Sequence, residues 1–502
     1  MRRTHGLMGA AQRALRRTRT ADDRDDADPC VRALRAAIGA DKVRIDGAGR
    51  YLASRDASIF EGGDAGPICY PTSADEVVAV VKVAAEFGRA IVPRGAGTGL
   101  AGGTVPLGNP VVVSTKRMER VLEVDVANRI AWVEPGLINL DLTRHLLPMG
   151  FHFAPDPSSQ QVCTIGGNVA NNSGGPHCLA YGVTSSHVVA VDVVTTDGTL
   201  VRLGGLEADT PGYDLRGAFV GSEGMLGIAT RVAVRITPNP PAVRTMLLSF
   251  ADVGACAATV GAIIADGMVP AAIEMMDHNC VVAVEQFIGA GYPLDAAAVL
   301  LVEVDGLPGG VAEQAARVEE LGLVNGATAV RVAADDAERA LLWKGRKSAF
   351  GAIATIKPDY YLHDTVVPRN ALVPVMHAIY DIVERHELIV LNVFHAGDGN
   401  LHPLIVYDAR EPGIMERVHE AGREIVEVSL AHGGVLSGEH GIGVEKRDYM
   451  GLLFTDDDLD QQARLRNAFD PLCRANPGKV LPGAHSCADI MSLSRPPEGV
   501  WG

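Results

Sequence analysis

The sequence predicts an α+β protein of two domains, and three observations support this fold class. Runs rich in β-branched residues, such as "VVAVDVVTTDGTLVRL" and "GIATRVAVRITP", are bounded by Gly, Pro and Asp and are typical of strands. Between such runs lie stretches with apolar residues at helical spacing, such as "PTSADEVVAVVKVAAEFG". The proline-rich "TPNPPAV" at Thr237–Val243 separates two such regions and predicts a linker.

In chain order, the first domain is predicted at residues 29–241, with its core at 67–238. Its helix in "PTSADEVVAVVKVAAEFG" begins with a Ser/Asp cap, and a short strand follows at 90–92. "NPVVVST" and "IAWVEPG" predict two further strands. The second domain is predicted at 242–430, where the helical "DVGACAATVGAIIADG" alternates with strands such as "AAAVLLVEVDG".

The remaining segments are too short to form domains. Residues 431–484 are predicted to pack back onto the two domains. Residues 1–28 are predicted to be a disordered tail, although this Arg-rich start also fits a transit peptide or a membrane-surface helix, and residues 485–502 are predicted to be a second tail. No apolar run approaches the roughly 18 residues that span a membrane, so we predict a cytoplasmic protein and leave membrane-surface association open. The net charge of -16 disfavours nucleic acid as a partner.

Three glycine-rich loops lie in the first domain. "PRGAGTGLAGG" follows a strand, "PDPSSQQVCTIGGNVANNSGG" mixes glycines with Ser, Thr and Asn, and "GSEGMLGIAT" precedes a strand. Glycine lets backbone N–H groups approach a phosphate closely, because it has no Cβ. The glycine spacing of the first loop is a poor dinucleotide fingerprint, and the Gly-Lys-Ser/Thr of a P-loop is absent from the sequence. One loop alone could be a simple turn, but three together indicate one long, phosphate-bearing ligand.

These loops resemble the flavin-binding segments of the vanillyl-alcohol oxidase / p-cresol methylhydroxylase (PCMH) flavoprotein family. "HAGDGNLHP", "SGEHGIGVEKR" and "NPGKVLP" further resemble its branch with the glycolate oxidase D-subunit, D-lactate dehydrogenases and D-2-hydroxyglutarate dehydrogenase. The resemblance covers about Pro67–Pro482. It implies a two-subdomain FAD-binding domain of the PCMH type, followed by an α+β substrate-binding cap domain.

The resemblance also implies which residues bind FAD. Some relatives attach the flavin covalently to a His in the first glycine loop, but "RGAGTGL" has no His, so non-covalent FAD is expected. By position, residues 94–99 match the pyrophosphate-binding loop, and Asn476 is expected near the isoalloxazine. The full set of expected FAD contacts is Arg94, Gly95, Ala96, Gly97, Thr98, Gly99, Pro155, Asp156, Ser158, Thr164, Gly166, Gly167, Asn168, Asn171, Ser173, Glu223, Gly224, Ile228 and Asn476.

Two further glycine-flanked loops carry His and acidic residues. "HAGDGNLHP" contains His395 and His402, and "SGEHGIG" places Glu439 beside His440. Two imidazoles and one carboxylate can bind a divalent metal and leave positions open for a substrate. The alternative is that these side chains only form hydrogen bonds within their loops. A metal hydrolase would suit the same residues, but it would leave the three glycine loops without a role.

The resemblance assigns roles to these residues. His395, His402 and Glu439 match ligands of Zn or Mn, His440 matches the base, and Arg346 in "LLWKGRKSAF" matches the Arg that binds the substrate carboxylate. Oxidation of a 2-hydroxy acid moves hydride from C2 to flavin N5 while the hydroxyl loses a proton. A neutral imidazole can accept that proton near pH 7, and a guanidinium can bind the carboxylate bidentately.

One departure from the branch concerns the substrate. The hydroxyglutarate enzymes place a Lys just before the Asp of "HDTVVP", where this chain reads "KPDYYLHD". This favours glycolate or D-lactate, with D-2-hydroxyglutarate as the alternative. A flavin-binding scaffold without activity is disfavoured, because Arg346, Glu439 and His440 are all present. The electron acceptor stays open among oxygen, a quinone, an electron-transfer protein and a partner subunit.

Overall fold

The computed structural model describes residues 28–60, 62–207 and 210–483. The predicted tails at 1–28 and 485–502 fall outside these ranges, apart from Asp28. Across the described part of the chain, every helix is too short or too polar to cross a bilayer. The architecture is α+β, as the sequence predicts.

Residues 28–238 form two larger sheets and a two-stranded one, surrounded by short helices. The strands are β1 (Val43–Arg44), β2 (Ile68–Cys69), β3 (Ile91–Arg94), β4 (Val111–Ser114), β5 (Val121–Asp125), β6 (Ile130–Val133), β7 (Phe151–His152), β8 (Val188–Val194), β9 (Leu200–Gly204), β10 (Ile228–Arg235) and β11 (Thr237–Pro238). The helices are α1 (Pro29–Ile38), α2 (Gly47–Ala53), α3 (Ala74–Glu86), α4 (Asn139–Leu146), α5 (Ile165–Asn171), α6 (Cys178–Tyr181), α7 (Thr184–His187) and α8 (Leu215–Phe219).

The first sheet has the strand order β1-β2-β4-β3, with β2, β3 and β4 parallel and β1 antiparallel. Helix α3 packs on it through a buried stripe that includes Val77, Val80 and Val81. As predicted, this helix begins after Ser73, whose Oγ accepts a hydrogen bond from the backbone N–H of Glu76. The strand predicted at 90–92 is β3, which is longer because its last two residues continue the pairing with β4.

The second sheet is antiparallel, with the order β5-β6-β10-β8-β9. Strand β8 is buried along its whole length and continues into β9 as a hairpin. The glycine-rich loops lie at the ends of these elements: the first follows β3, the second surrounds α5 and the third precedes β10. The folding of these two sheets therefore positions the three loops.

The linker predicted at Thr237–Val243 is shorter in the structure. Residues Thr237 and Pro238 form β11, which pairs with β7, and β12 already begins at Ala242. Only residues 239–241 lie between these strands. Pro240 and Pro241 lie between the two strands, as expected of residues without a backbone N–H, but Pro238 of β11 is itself paired with Phe151.

Residues 242–431 form one larger, mainly antiparallel sheet with helices on both faces. The strands are β12 (Ala242–Phe250), β13 (Ala272–Asp277), β14 (Ala298–Gly306), β15 (Ala327–Val332), β16 (Asp359–Leu362), β17 (Thr365–Val366), β18 (Ile389–His395), β19 (Asn400–Leu401) and β20 (Pro403–Tyr407). The helices are α9 (Val253–Ala265), α10 (His278–Ile288), α11 (Pro308–Val324), α12 (Asp336–Lys347), α13 (Ala349–Ala352), α14 (Leu372–Arg385) and α15 (Ile414–Ala431).

This sheet has the order β15-β12-β14-β13-β18-β19-β17, and β20 pairs with both β18 and β16. Its two faces contribute to separate cores, because successive strand residues point to opposite sides. Met246 and Leu248 belong to one core with α9, α11 and α14, whereas Leu247 lies in the other core with α10 and α12. The sheet is thus covered on both faces.

The last described residues include α16 (Met450–Leu453) and α17 (Asp456–Phe469) and contact both earlier parts of the chain. Ala475 forms a parallel bridge with Ile91 at the edge of the first sheet, and Val435 forms an antiparallel bridge with Val366 of the large sheet. The domain bounds of 29–241, 242–430 and 431–484 remain predictions, and the sheets lie inside the first two ranges.

Candidate active site

A cavity of about 360 Å³ lies between the glycine-rich loops and the edge of the large sheet where β18 ends. One wall consists of the first two glycine-rich loops, and the other consists of the end of α12 with the two His-containing loops. The predicted site residues that line it are Gly95, Ala96, Gly97, Thr98, Gly99, Ser158, Thr164, Gly167, Asn168, Asn171, Ser173, Arg346, His395, His402, Glu439 and His440. Residues predicted to bind FAD and residues predicted to bind the metal or act in catalysis therefore line the same cavity.

Glycine is required where the first two loops meet. A Cβ on Gly95 would lie 2.4 Å from Thr164 Oγ1, well inside van der Waals contact. Thr164 also begins α5, because its Oγ1 accepts a hydrogen bond from Gly167 N–H at 3.2 Å. The loops thus line the cavity largely with backbone, as a phosphate-bearing ligand requires.

A smaller cavity of about 70 Å³ adjoins this one and brings in the third glycine-rich loop. The two cavities share Gly95, Gly103, Thr104, Gly167 and Asn171 as lining residues. The smaller cavity is also lined by five further predicted cofactor residues, Arg94, Gly166, Glu223, Gly224 and Ile228. All three loops therefore border one continuous region.

Three predicted cofactor residues line neither cavity. Pro155 uses its carbonyl oxygen to accept a hydrogen bond from Asn139 Nδ2. Asp156 accepts from Lys347 Nζ at 3.1 Å, and its Oδ2 lies 3.0 Å from His177 Nδ1. Asn476 donates to the carbonyl oxygens of Gly103 and Glu223, which ties the first and third loops together. Their role at FAD remains a prediction, but the structure shows them supporting the loops.

His395, His402, Glu439 and His440 converge at the far side of the larger cavity. Glu439 Oε1 lies 3.3 Å from His395 Nε2, 3.7 Å from His402 Nε2 and 3.7 Å from His440 Nε2. The rings of His402 and His440 stack at a centroid distance of 4.9 Å. The two His-containing loops thus meet in the structure, and the roles of these four residues remain a prediction.

These donor atoms fit a divalent cation. His395, His402 and Glu439 each offer one ligand atom, and these atoms lie within 4.8 Å of one another. Among the described residues, His402 Nε2 is buried without a hydrogen-bond partner, which is costly unless it serves as a ligand. Imidazole and carboxylate donors suit Zn or Mn. Asp364, His402 and His440 form a second, overlapping set.

Asp364 holds the second His-containing loop in place. Its Oδ2 accepts hydrogen bonds from Ser437 Oγ at 2.6 Å and from the backbone N–H groups of residues 438–440. Its Oδ1 lies 3.3 Å from His402 Nε2. The sequence analysis gave Asp364 no role, yet this one buried carboxylate positions both Glu439 and His440.

Arg346 is buried at the end of α12 and faces the same cavity. Its Nη2 forms an ion pair with Glu274 Oε2, and the other oxygen of Glu274 accepts a hydrogen bond from His395 Nδ1 at 2.7 Å. Within the described chain, Nε of Arg346 has no hydrogen-bond partner. This donor is therefore available to a carboxylate in the cavity.

The electrostatics of the cluster follow from burial and close charges. Burial lowers the pKa of His440 to about 4, despite the opposing effect of Asp364, so its imidazole is neutral near pH 7. Burial alone would raise the pKa of Glu439, but His395 and the other two imidazoles bring it down to about 2. The cluster therefore combines an ionised carboxylate with a neutral imidazole.

Comparison with known proteins identifies the family. An "FAD binding domain" model matches residues 66–204, and an "FAD linked oxidases, C-terminal domain" model matches residues 239–480. The chain belongs to the FAD-linked oxidase family. It is 46% identical over 426 residues to glycolate oxidase subunit GlcD of Escherichia coli (strain K12), covering 85% of each chain. It is 32% identical over 421 residues to a D-lactate dehydrogenase of Anaerostipes hadrus, covering 82% of this chain and 88% of that one.

A solved structure agrees at the level of the fold. p-Cresol methylhydroxylase with substrate bound aligns with a TM-score of 0.77 at 15% identity, over 90% of this chain and 96% of that one. As a member of the FAD-linked oxidase family, the chain is an FAD-dependent oxidoreductase. The predicted PCMH-type fold and the branch with GlcD and the D-lactate dehydrogenases are confirmed.

Several residues that line the cavity of this FAD-linked oxidase, or contact residues that line it, were not predicted from the sequence. Glu274 is one of them, although an acid within the apolar "AAIEMMD" is a signal for a buried, paired carboxylate. Lys347, Phe350 and Tyr360 also line the cavity. They belong to α12, to the adjoining α13 and to β16, and only the fold brings these elements together.

Proposed function

We propose that this FAD-linked oxidase oxidises a small D-2-hydroxy acid, of the glycolate or D-lactate type, to the 2-oxo acid. The observation that carries the proposal is that Arg346, His440 and the His395–His402–Glu439 cluster line the cavity bordered by the flavin-type glycine loops. The names of the relatives, glycolate oxidase subunit and D-lactate dehydrogenase, support the same substrate class.

Arg346 binds and orients the substrate carboxylate. Its Nε has no partner among the described residues, whereas Nη2 is paired with Glu274, so the guanidinium can donate a charge-assisted hydrogen bond that fixes the position of C2 in the cavity. The site is desolvated, because Arg346 is only 1% exposed. In such surroundings each charged hydrogen bond is stronger than in water.

His440 accepts the hydroxyl proton. It is neutral near pH 7 and lines the cavity, so it can take a proton from a substrate held at Arg346. His395, His402 and Glu439 would hold Zn or Mn, which would supply a Lewis acid beside the substrate hydroxyl. When bound, FAD would supply the hydride acceptor. The protein would hold it non-covalently, because the first glycine-rich loop lacks a His.

The cavity wall favours a short substrate. Phe350 and Tyr360 lie side by side, with ring centroids 6.4 Å apart, and both line the cavity. Lys347, a further cation in the lining, already pairs with Asp156. An apolar wall and a neutralised lysine do not provide for a second carboxylate. D-2-hydroxyglutarate therefore remains the less favoured alternative.

A metal hydrolase is the more distant alternative. It would use the same His and Glu cluster, but the match to an FAD-binding domain and the three loops argue against it. Electrons leave the reduced flavin for oxygen, a quinone, an electron-transfer protein or a partner subunit. The relatives named as glycolate oxidase subunits favour the last of these.

Anaerobic mixing of the FAD-loaded protein with glycolate, D-lactate, L-lactate and D-2-hydroxyglutarate tests the proposal. We expect the absorption of oxidised flavin to bleach with glycolate or D-lactate, and more slowly with the other two acids. A flavin that no 2-hydroxy acid reduces, in protein loaded with Zn or Mn, would contradict the proposed function.

A further inference from the structure

Glu274 occupies an unusual position in the large sheet. It lies in β13, directly opposite His395 of β18 in the antiparallel register, and is 1% exposed. The neighbouring strand residues Ile273 and Met275 are apolar and buried. A carboxylate in such surroundings is costly unless both of its oxygens have partners.

One oxygen of Glu274 fixes the imidazole of His395. An ionised carboxylate has no proton to donate. His395 Nδ1, which lies 2.7 Å from Glu274 Oε1, is therefore the donor and carries the proton. The other ring nitrogen, Nε2, lies 3.3 Å from Glu439 Oε1 and is the atom that would bind a metal ion. A metal-binding His held in this way by a carboxylate has a set tautomer and ring orientation.

The other oxygen of Glu274 contacts the guanidinium of Arg346. The two groups form an ion pair in which the Arg346 side chain is 1% exposed and the Glu274 side chain 0% exposed. Arg346 Nε still lacks a hydrogen-bond partner in the described structure. The carboxylate thus holds the guanidinium in place without occupying its whole donor edge.

We propose that Glu274 is a positioning residue that couples the metal ligand His395 to the carboxylate-binding Arg346. This inference rests on the proposed function. Through one rigid side chain, Glu274 fixes the distance between the group that binds the substrate carboxylate and the group beside its hydroxyl. The two functional groups of a 2-hydroxy acid sit on adjacent carbons, so this spacing must match them closely.

Metal binding provides the first test. FAD-loaded, metal-free wild-type protein and its Glu274→Gln variant are titrated with Mn²⁺, and bound metal is measured by equilibrium dialysis. We expect about 10- to 100-fold weaker Mn²⁺ binding in the variant, the usual effect of removing a carboxylate behind a metal-binding His. FAD content and the thermal unfolding midpoint are measured on the same samples.

Asp192→Asn is the matched control. Asp192 is also a buried strand carboxylate with two cationic partners, Arg202 and Arg231, but it lies in the second sheet and lines neither cavity. The control should keep wild-type Mn²⁺ affinity even if it is destabilised. Equal loss of affinity in both variants, or no loss in Glu274→Gln, would overturn the inference. If Glu274→Gln does not fold, Glu274→Asp, which keeps the charge but is one methylene shorter, is judged by the same criteria.

Turnover of glycolate at saturating Mn²⁺ tests the link to Arg346. The Glu274→Gln variant should still show a lower kcat/KM, because the guanidinium of Arg346 has lost its buried, charged partner. The double variant Glu274→Gln/Arg346→Lys should lose less kcat/KM than the product of the two single fold-losses, since both substitutions act on one interaction. Multiplicative effects would overturn the coupling. A wild-type protein that binds no Mn²⁺ and oxidises no 2-hydroxy acid would instead contradict the proposed function.

Discussion

Lys347 and Asp156 form an ion pair that joins the residues before the linker to those after it, with Nζ 3.1 Å from Oδ2. His177 extends this contact, because its Nδ1 lies 3.0 Å from Asp156 Oδ2 and its Nε2 lies 3.4 Å from Glu303 Oε1. Burial disfavours a charge on His177, but the two carboxylates outweigh it and raise the pKa of His177 to about 10. The two parts of the chain are thus held together by a protonated imidazole.

Replacement of His177 by Gln should destabilise the protein in a pH-dependent way. The folded pKa lies above the ordinary value of 6.5, so the contribution of His177 is complete below about pH 6.5 and is lost as pH rises through 10. We expect a loss of roughly 3 kcal/mol near pH 6, typical of a broken buried pair. Thermal unfolding of the FAD-loaded protein at about pH 6, 8 and 10 checks this. His432→Gln, at an exposed site, is the control, and a difference that is independent of pH would contradict the prediction.

Arg346→Lys should lower kcat/KM for the 2-hydroxy acid while FAD stays bound. Loss of a charge-assisted contact at a desolvated site costs about 2–4 kcal/mol, or about 30- to 1000-fold. Steady-state kinetics with glycolate or D-lactate measure the effect. Lys344→Ala, at an exposed position of the same helix α12, should leave kcat/KM near the wild-type value. An unchanged efficiency in Arg346→Lys would remove this residue from the site.

The metal and the base should be separable, because Glu439 and His440 are neighbours with different roles. Glu439→Gln and His402→Ala should lower the content of Zn or Mn, measured by elemental analysis. His440→Ala should retain the metal and FAD yet bleach the flavin about 10²- to 10⁴-fold more slowly, the usual share of general base catalysis. If wild-type protein contains no divalent ion and chelators leave its rate unchanged, the metal assignment is wrong.

Phe350→Ala should shift the substrate preference toward 2-hydroxy acids with longer carbon chains. Removal of the ring enlarges the cavity beside Tyr360, and each methylene that a pocket gains or loses changes discrimination by about 10- to 200-fold. The ratio of kcat/KM for D-2-hydroxybutyrate to that for glycolate should rise accordingly. Tyr360→Phe keeps the ring and should leave this ratio close to wild type. A ratio unaffected by Phe350→Ala would place the specificity elsewhere.

The FAD should separate from the protein on acid precipitation. The first glycine loop has Ala96 and Thr98 between its glycines and no His to form a covalent bond. Absorbance of the supernatant and of the washed pellet at flavin wavelengths distinguishes the two cases. Flavin that stays with the pellet would show a covalent bond to another residue.

Sequence patterns predicted much of this fold because the signals were local. The strands β4, β6 and β10 and the helix α3 have clear periodicity and end at Gly, Pro or a capping Ser. The linker was overestimated, because Pro238 of β11 still pairs with Phe151 and β12 begins directly after Pro241. That outcome depends on β7, more than eighty positions away in the chain, which no local pattern includes.

The candidate site was predictable where residues of one loop act together. The pairs His395–His402 and Glu439–His440 are short-range patterns with glycine on both sides. Glu274 and Asp364 could not be assigned in this way, because their partners come from distant strands and loops. A buried carboxylate is visible in a sequence as an acid among apolar residues, but its partners are decided by the sheet register.

The bonds of Asn476 bear on how this protein is synthesised. Its side chain reaches Gly103 across 373 residues of sequence, and its backbone N–H binds the carbonyl of Ile91 on the open edge of β3. Ribosomes add about 5–20 residues per second, so this edge emerges roughly 20–75 s before its partner exists. During that interval the nascent chain has an unpaired strand edge, which other chains can bind. The contact that Asn476 makes between the first and third glycine-rich loops therefore forms only after the last segment has emerged, and chaperones can act on β3 until then.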